Sequence, residues 1–186
     1  QEYHTAGSEY GNVIVGTISG TTISYGSEWP FFTGATNYSS VAFDPNTADK
    51  FVVVYTGYTG GSHKGKSRVG TISGTTISYG TESGFHSNTV TNTTLSFDPN
   101  TAGKFVVTYL YNYDGKARVG TISGTTITFG TEVVFNSTTL TSTSVAFNPN
   151  TANKFVIAYT RYDNAGNSGA GKAIAGTVSG TTIIFG

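Results

Sequence analysis

One eight-residue string constrains this chain more than any other feature. Gly16-Thr17-Ile18-Ser19-Gly20-Thr21-Thr22-Ile23 returns at Gly70, at Gly120 and, with Val in place of one Ile, at Gly176. A second string, Phe43-Asp44-Pro45-Asn46-Thr47-Ala48, returns at Phe97 and, with Asn for Asp, at Phe147. Each copy is followed by Lys-Phe, at Lys50-Phe51, Lys104-Phe105 and Lys154-Phe155. The two series keep a common phase, which marks a tandem array of one supersecondary unit about 50 residues long.

Each unit reads as four strands. Strand A is Ser40–Phe43, with Leu95–Phe97 and Val145–Phe147 as counterparts. Asp44-Pro45-Asn46-Thr47 supplies the A–B turn, because Pro sets φ while Asp and Asn bond back to the local backbone. Strand B, Phe51–Tyr55, is a near-continuous apolar run suited to burial on both faces. Strand C is Ser67–Ile72, Ser73-Gly74 makes a two-residue hairpin turn, and strand D, Thr75–Tyr79, alternates hydroxyl and apolar side chains. The recurring Phe43, Phe51, Tyr55 and Tyr79, with Phe31, Phe85 and Phe135, are the expected core.

Composition agrees. Charged residues make up 11% of the chain, against 33 Thr and 25 Gly in 186 residues. Threonine with aromatic and β-branched residues favours strands, and glycine supplies turns. Ten basic and ten acidic residues cancel, so the basic footprint of a nucleic-acid binder is absent. Without cysteine there is no disulfide framework or thiolate metal site. No apolar stretch reaches the length of a membrane-spanning helix. The absence of Met predicts a chain that is processed or part of something longer.

Tyr3 occupies the slot of Tyr55, Tyr109 and Tyr159, so residues 1–26 read as a unit without strand A. The expected organisation is one repeat domain: a partial unit and connection over 1–39, then whole units over 40–94, 95–144 and 145–186. A strand from another segment or chain would complete the first unit.

A four-stranded antiparallel meander repeated at this period predicts an all-β β-propeller. Ser40-Val-Ala-Phe-Asp-Pro-Asn46, Lys50-Phe-Val-Val-Val-Tyr55 and Arg68-Val-Gly-Thr-Ile-Ser-Gly-Thr-Thr-Ile77 together resemble the blade pattern of sialidase-like (BNR) propellers. That family carries an Asp box, roughly Ser-x-Asp-x-Gly-x-Thr-Trp, in the C–D hairpin. Here the hairpin reads Ser73-Gly-Thr-Thr-Ile-Ser-Tyr-Gly80, without the Asp or the Trp. The repeats are also similar to those of virion and cell-surface proteins from marine phages and bacteria.

In such a unit the A–B and C–D turns leave one end of the sheet, and the B–C and D–A connections leave the other. The first pair hardly changes between units. The B–C segments, His4–Asn12, Thr56–Lys66, Leu110–Lys116 and Thr160–Lys172, change in length and content, and binding residues concentrate on such loops. They carry tyrosine amid short polar residues, a mixture suited to sugars because the ring packs on C–H faces while amides and carboxylates bond hydroxyls. Candidate ligand contacts are therefore Tyr58, His63, Tyr111, Tyr113, Asp114, Tyr162, Asp163 and Asn164, with Trp29 in the first D–A connection. The same tyrosines suit a role in covering the sheet surface. Asn37, Asn92 and Asn136 head Asn-x-Ser/Thr sequons in the D–A connections; these are candidate glycosylation sites in a secreted protein, although a Ser/Thr-rich chain also produces such matches by chance.

Catalysis is not expected. Glu28, Glu82 and Glu132 form one repeat series and Asp44 and Asp98 another, and a position used in every unit suits structure. His4, His63 and His86 share no slot, so neither a metal nor a cofactor is expected. The resemblance to sialidases implies an arginine cluster and a tyrosine nucleophile with an acid partner. This chain has Arg68, Arg118 and Arg161, two of them in one strand C slot.

Three functions follow in order. The first is a non-catalytic module on a cell or virion surface, binding glycan or protein through the B–C and D–A loops. The second is a structural protein assembling into a fibre by strand complementation, since an unpaired sheet edge accepts a strand from a neighbour. The third is a sialidase-like glycosidase. The expected setting is extracellular, without nucleic-acid partners.

Overall fold

The structure is a computed structural model that describes residues 10–162 and 169–186. The described chain is all-β, and every strand pairing in it is antiparallel. Strands β1 (Gly11–Ser19) and β2 (Thr22–Phe32) form a first, two-stranded sheet. Strands β3 (Thr36–Phe43), β4 (Lys50–Thr59), β5 (Ser62–Ser73) and β6 (Thr76–Tyr79) run in order through the second sheet, with β7 (Ser83–Thr89) also paired to β5. The third sheet repeats this plan with β8 (Thr91–Phe97), β9 (Lys104–Tyr111), β10 (Asp114–Ser123) and β11 (Thr126–Phe129), and β12 (Val133–Asn136) pairs with β10. The fourth holds β13 (Leu140–Phe147), β14 (Lys154–Arg161), β15 (Ala170–Ser179) and β16 (Thr182–Phe185).

Two expectations change. Thr56–Lys66 is not a loop, because β4 and β5 continue pairing to Thr59 and Ser62. Leu110–Lys116 likewise narrows to a turn at Asn112-Tyr113. Tyr, Thr and Val along these segments favour pairing, and Gly60-Gly61 or Asn112-Tyr113 at positive φ close each hairpin in two residues. The D–A connections are also partly strand, since β7 and β12 finish the pairing of β5 and β10 where β6 and β11 leave off. In the first sheet these two pieces are one continuous strand, β2, so Trp29 to Phe32 lie within a strand. Asn37, Asn92 and Asn136 consequently sit in β3, β8 and β12 rather than in loops.

Among the described residues no ladder joins one sheet to another. The sheets are held by side chains packed face to face in chain order. Phe51, Val53, Tyr55 and Ile77 on the leading face of the second sheet pack with Val13, Val15, Trp29 and Phe31 of the first. Val52, Val54 and Val69 on its trailing face meet Phe97, Phe105, Val107 and Tyr109 of the third. Val106, Ala117 and Val119 then meet Val145, Phe155, Ile157 and Val178 of the fourth. The alternation along β4 thus serves two junctions at once, which explains why the run is apolar throughout.

Polar staples reinforce these junctions. Asp44 Oδ2 accepts the Gly103 backbone N–H at 3.1 Å, and Asp98 Oδ2 accepts that of Asn153 at 2.9 Å. Within its own turn Asp98 also accepts from Asn100 N and Thr101 Oγ1, both at 2.9 Å. Lys50 Nζ donates to Gly124 O and Lys104 Nζ to Gly180 O, each at 3.2 Å and each in the following sheet. The recurring Asp and Lys are therefore fasteners between units.

Phe43 departs from the expected core. It is 57% exposed, whereas its counterpart Phe97 is 6% exposed. Phe97 is covered by the second sheet, while the described part of the first sheet has no strand lying over β3.

Candidate functional site

The β4–β5 and β9–β10 hairpins carry most of the sequence variation to one end of the stack. Their turns set what they present. Gly60 and Gly61 reach φ values of 62° and 87° without steric cost, but the equivalent turn places Asn112 at 51° and Tyr113 at 69°. A tyrosine held in the left-handed region is costly, and such strain gathers at functional positions. Tyr113 projects into solvent, 68% exposed.

Two aromatic–imidazole pairs stand below these turns. Tyr58 and His63 face each other across β4 and β5, with ring centroids 5.1 Å apart. His86, on β7, lies over Tyr111, on β9, at 4.4 Å, so this pair bridges the second and third sheets. Asn88 Nδ2 donates to the Tyr111 hydroxyl at 3.4 Å. At the next junction Asn136 Nδ2 reaches the Tyr159 hydroxyl at 3.5 Å. The edge strands β7 and β12 thus hand polar side chains onto the following sheet.

Beside the His86–Tyr111 pair runs a groove of about 360 Å³, lined by Lys64, Lys66, Glu82, His86, Ser87 and Arg118 among others. Its carboxylates are engaged. Glu82 accepts from Lys66 Nζ at 2.8 Å and from the Tyr55 hydroxyl at 2.7 Å. Burial alone would raise the Glu82 carboxyl, but these two donors and the nearby charge of Arg68 hold it below the usual range. Burial pushes the Tyr55 hydroxyl up, and the Glu82 charge adds to the effect. Burial likewise raises Tyr109, which donates to Glu132 at 2.6 Å. Lys116 Nζ stands 3.8 Å from Glu132 and 3.6 Å from Asp114. In the first sheet Asn12 Nδ2 donates to Glu28 at 3.0 Å. Arg118 spends its Nε on Gly130 O at 2.9 Å and its Nη1 on Phe85 O at 2.6 Å.

The structure therefore brings together Tyr58 with His63, and Tyr111 with His86, while Tyr113 sits in the β9–β10 turn and Asp114 begins β10. Tyr162 is half exposed and lines a separate depression with Ser137, Thr138, Thr139 and Arg161. Trp29 is not at this end of the stack: its indole donates to Thr75 O at 3.1 Å in the junction between the first two sheets. Asp163 and Asn164 lie outside the described residues, as do His4 and Tyr3. Asn37 is exposed and Asn92 half-buried, and Asn136 Oδ1 already accepts the Thr138 backbone N–H at 2.9 Å. His86 and Asn88 were not expected at the site. They fall in a segment that reads as a connection, and only its recurrence as an edge strand places them. No group of three His, Cys, Asp or Glu able to hold a metal occurs among the described residues.

No protein-family model matches this sequence, and no curated protein is significantly similar to it. Two solved structures of Sqt1 from Chaetomium thermophilum are similar in fold, with TM-scores of 0.51 and 0.52 at 18% and 17% identity. In each case 78% of this chain covers 34% of that one. The chain thus spans about a third of the length of these neighbours, and the likeness is one of fold.

Proposed function

We propose that this chain is a non-catalytic binding module, built as part of a β-propeller, that takes a surface glycan or protein at the β4–β5 and β9–β10 hairpin end. The observation that carries this reading is the two tilted imidazole–tyrosine contacts, Tyr58–His63 and His86–Tyr111, beside an open groove rimmed by polar side chains. An exposed ring offers a flat apolar face for sugar C–H groups, and Asn88, Ser87 and Lys64 offer donors and acceptors around it. Carbohydrate suits this shallow polar rim better than an apolar ligand does. The propeller reading is supported by the meander order of the strands, by the succession of packed sheets, and by the likeness in fold to about a third of Sqt1.

A non-catalytic role is supported by the engagement of Glu82, Glu132, Asp44 and Asp98 in bonds that hold strands and sheets together. A surface or virion setting accords with the sugar-suited tips and belongs to the same proposal.

Screening against immobilised glycans, with replacement of Tyr58, Tyr111 and Tyr162 by Ala, tests the reading. Saturable binding that disappears in the triple variant is expected. Binding that survives unchanged moves the site away from the hairpin tips. A hit among proteins but not glycans changes the ligand class.

A further inference from the structure

The groove beside His86 holds a concentration of positive charge. Lys64, Lys66 and Arg118 line it, against the carboxylate of Glu82. The chain as a whole is neutral, with ten basic and ten acidic residues, so this local excess is not the overflow of a basic protein. Glu82 is spent on Lys66 Nζ at 2.8 Å and on the Tyr55 hydroxyl at 2.7 Å. Arg118 donates to two backbone carbonyls, Gly130 O and Phe85 O, which fix its guanidinium without cancelling its charge. Among the described residues no carboxylate forms an ion pair with Arg118 or with Lys64. Lys64 is half-buried, and its ammonium makes no bond among the described residues.

The other junctions show that the fold does not need this charge. In the third sheet Asp114 takes the slot of Lys64, and Lys116 lies 3.6 Å from it and 3.8 Å from Glu132. Ile174 of the fourth sheet takes the slot of Arg118. That set carries two carboxylates against one ammonium. In the first sheet Tyr10, Asn12 and Glu28 fill the slots of Lys64, Lys66 and Glu82, with Arg68 in the slot of Arg118. A structural need shared by the junctions would recur in each of them. A cationic groove confined to one junction, on segments that vary between units, points instead to a ligand.

We propose, on the footing of the glycan-binding reading above, that this groove takes the acidic groups of a saccharide chain bearing carboxylates or sulfates. Lys64 supplies a free ammonium and Arg118 a guanidinium already held in place, while Ser87 and His86 offer polar groups to the hydroxyls beside the acid. The His86–Tyr111 contact borders the groove with ring surface. At about 360 Å³ the groove is near the small end of ligand clefts, which span about 300–1,000 Å³, so it holds one charged stretch of a longer chain. Charge-assisted hydrogen bonds are roughly twice as strong as neutral ones, so an acidic sugar outcompetes its neutral form here.

Dextran, carboxymethyl-dextran and dextran sulfate share one backbone, and titration calorimetry of the whole chain against each tests the proposal. An acidic polymer binds at least about tenfold more tightly than dextran, and the gap closes near 1 M salt, where the screening length falls to about 3 Å. The tighter of the two acidic polymers names the acid as carboxylate or sulfate. Lys64→Glu weakens that binding at least about tenfold, while Lys172→Glu, the same charge change at an exposed position of the fourth sheet, leaves it within about twofold. If Lys64→Glu loses its β circular dichroism, Lys64→Gln takes its place. Acidic polymers that bind no better than dextran overturn the proposal. Equal losses in the two lysine variants also overturn it, since they mark diffuse attraction. Tighter binding of poly-glutamate than of either acidic dextran moves the site to acidic protein and overturns it too. Binding of neutral glycans alone, lost when Tyr58, Tyr111 and Tyr162 become Ala, leaves the module reading standing while the acidic ligand falls. A chain that binds no glycan sinks both.

Discussion

Asp98 accepts the backbone N–H of Asn153 at 2.9 Å across 55 residues of sequence, so one side chain in an A–B turn holds the turn of the following sheet. Asp98 is fully buried and accepts in its own turn as well. Asp98→Asn puts a donor where three donors already converge. We expect a loss of about 1–3 kcal/mol, the cost of a buried polar group left unsatisfied. The fourth sheet already carries Asn148 in this slot, exposed and accepting from Asn150 N, so Asn148→Asp leaves stability nearly unchanged. Urea denaturation midpoints of the two variants check the contrast.

The glycines that end strand D give a second contrast. Gly130→Ala drives a methyl into the Thr181 carbonyl, which is backbone and cannot swing aside. A destabilisation of about 1–3 kcal/mol follows from overpacking. Gly186→Ala places its methyl in open space and is expected to be neutral. Thermal unfolding distinguishes them.

Alkali is expected to loosen the stack. Burial pushes Tyr79 up to about 12 from an ordinary 10.0, and raises Tyr55 and Tyr109 as well. A folded-state pKa above the unfolded one means that folding favours the protonated phenol. That stability is complete below pH 10 and is lost as pH climbs through the folded values. Tyrosinate absorbance followed against pH should show a fraction of the tyrosines ionising late, together with loss of β structure. Tyr79→Phe should reduce the alkaline sensitivity.

The acid limb has the opposite sign. Glu82 is held below its ordinary pKa, so its contribution is present at neutral pH and fades as pH falls through the folded value. Glu82→Gln removes that dependence and leaves Lys66 without its ion-pair partner. The variant is expected to be less stable than wild type at pH 7, with the difference shrinking in acid, as denaturant midpoints across pH would show.

Much of the strand pattern was legible because the repeat compares each residue with its own counterparts. Phe51, Phe105 and Phe155 occupy one slot and are all buried. Phe43 broke the rule because burial belongs to the junction rather than to the residue, and β3 has no described strand over it. The hairpin tips escape a sequence reading for another reason. Variation in Thr56–Lys66 looks like loop sequence, yet a register of pairs from Thr56–Gly65 to Thr59–Ser62 tolerates many side chains. His86 was invisible as a partner of Tyr111 because 25 residues and a sheet boundary separate them. Its pairing depends on β7 completing the edge that β6 abandons, which no local pattern announces.

Among the described residues every hydrogen-bonded ladder closes inside its own sheet. A gain or loss of one whole unit therefore breaks no ladder, and it joins a trailing face to a leading face of the kind it replaces. A single inserted residue in the Asp98 turn, by contrast, would break a bond to a different sheet. Length should drift in steps of about 50 residues while the turns between Phe97 and Lys104 stay unaltered.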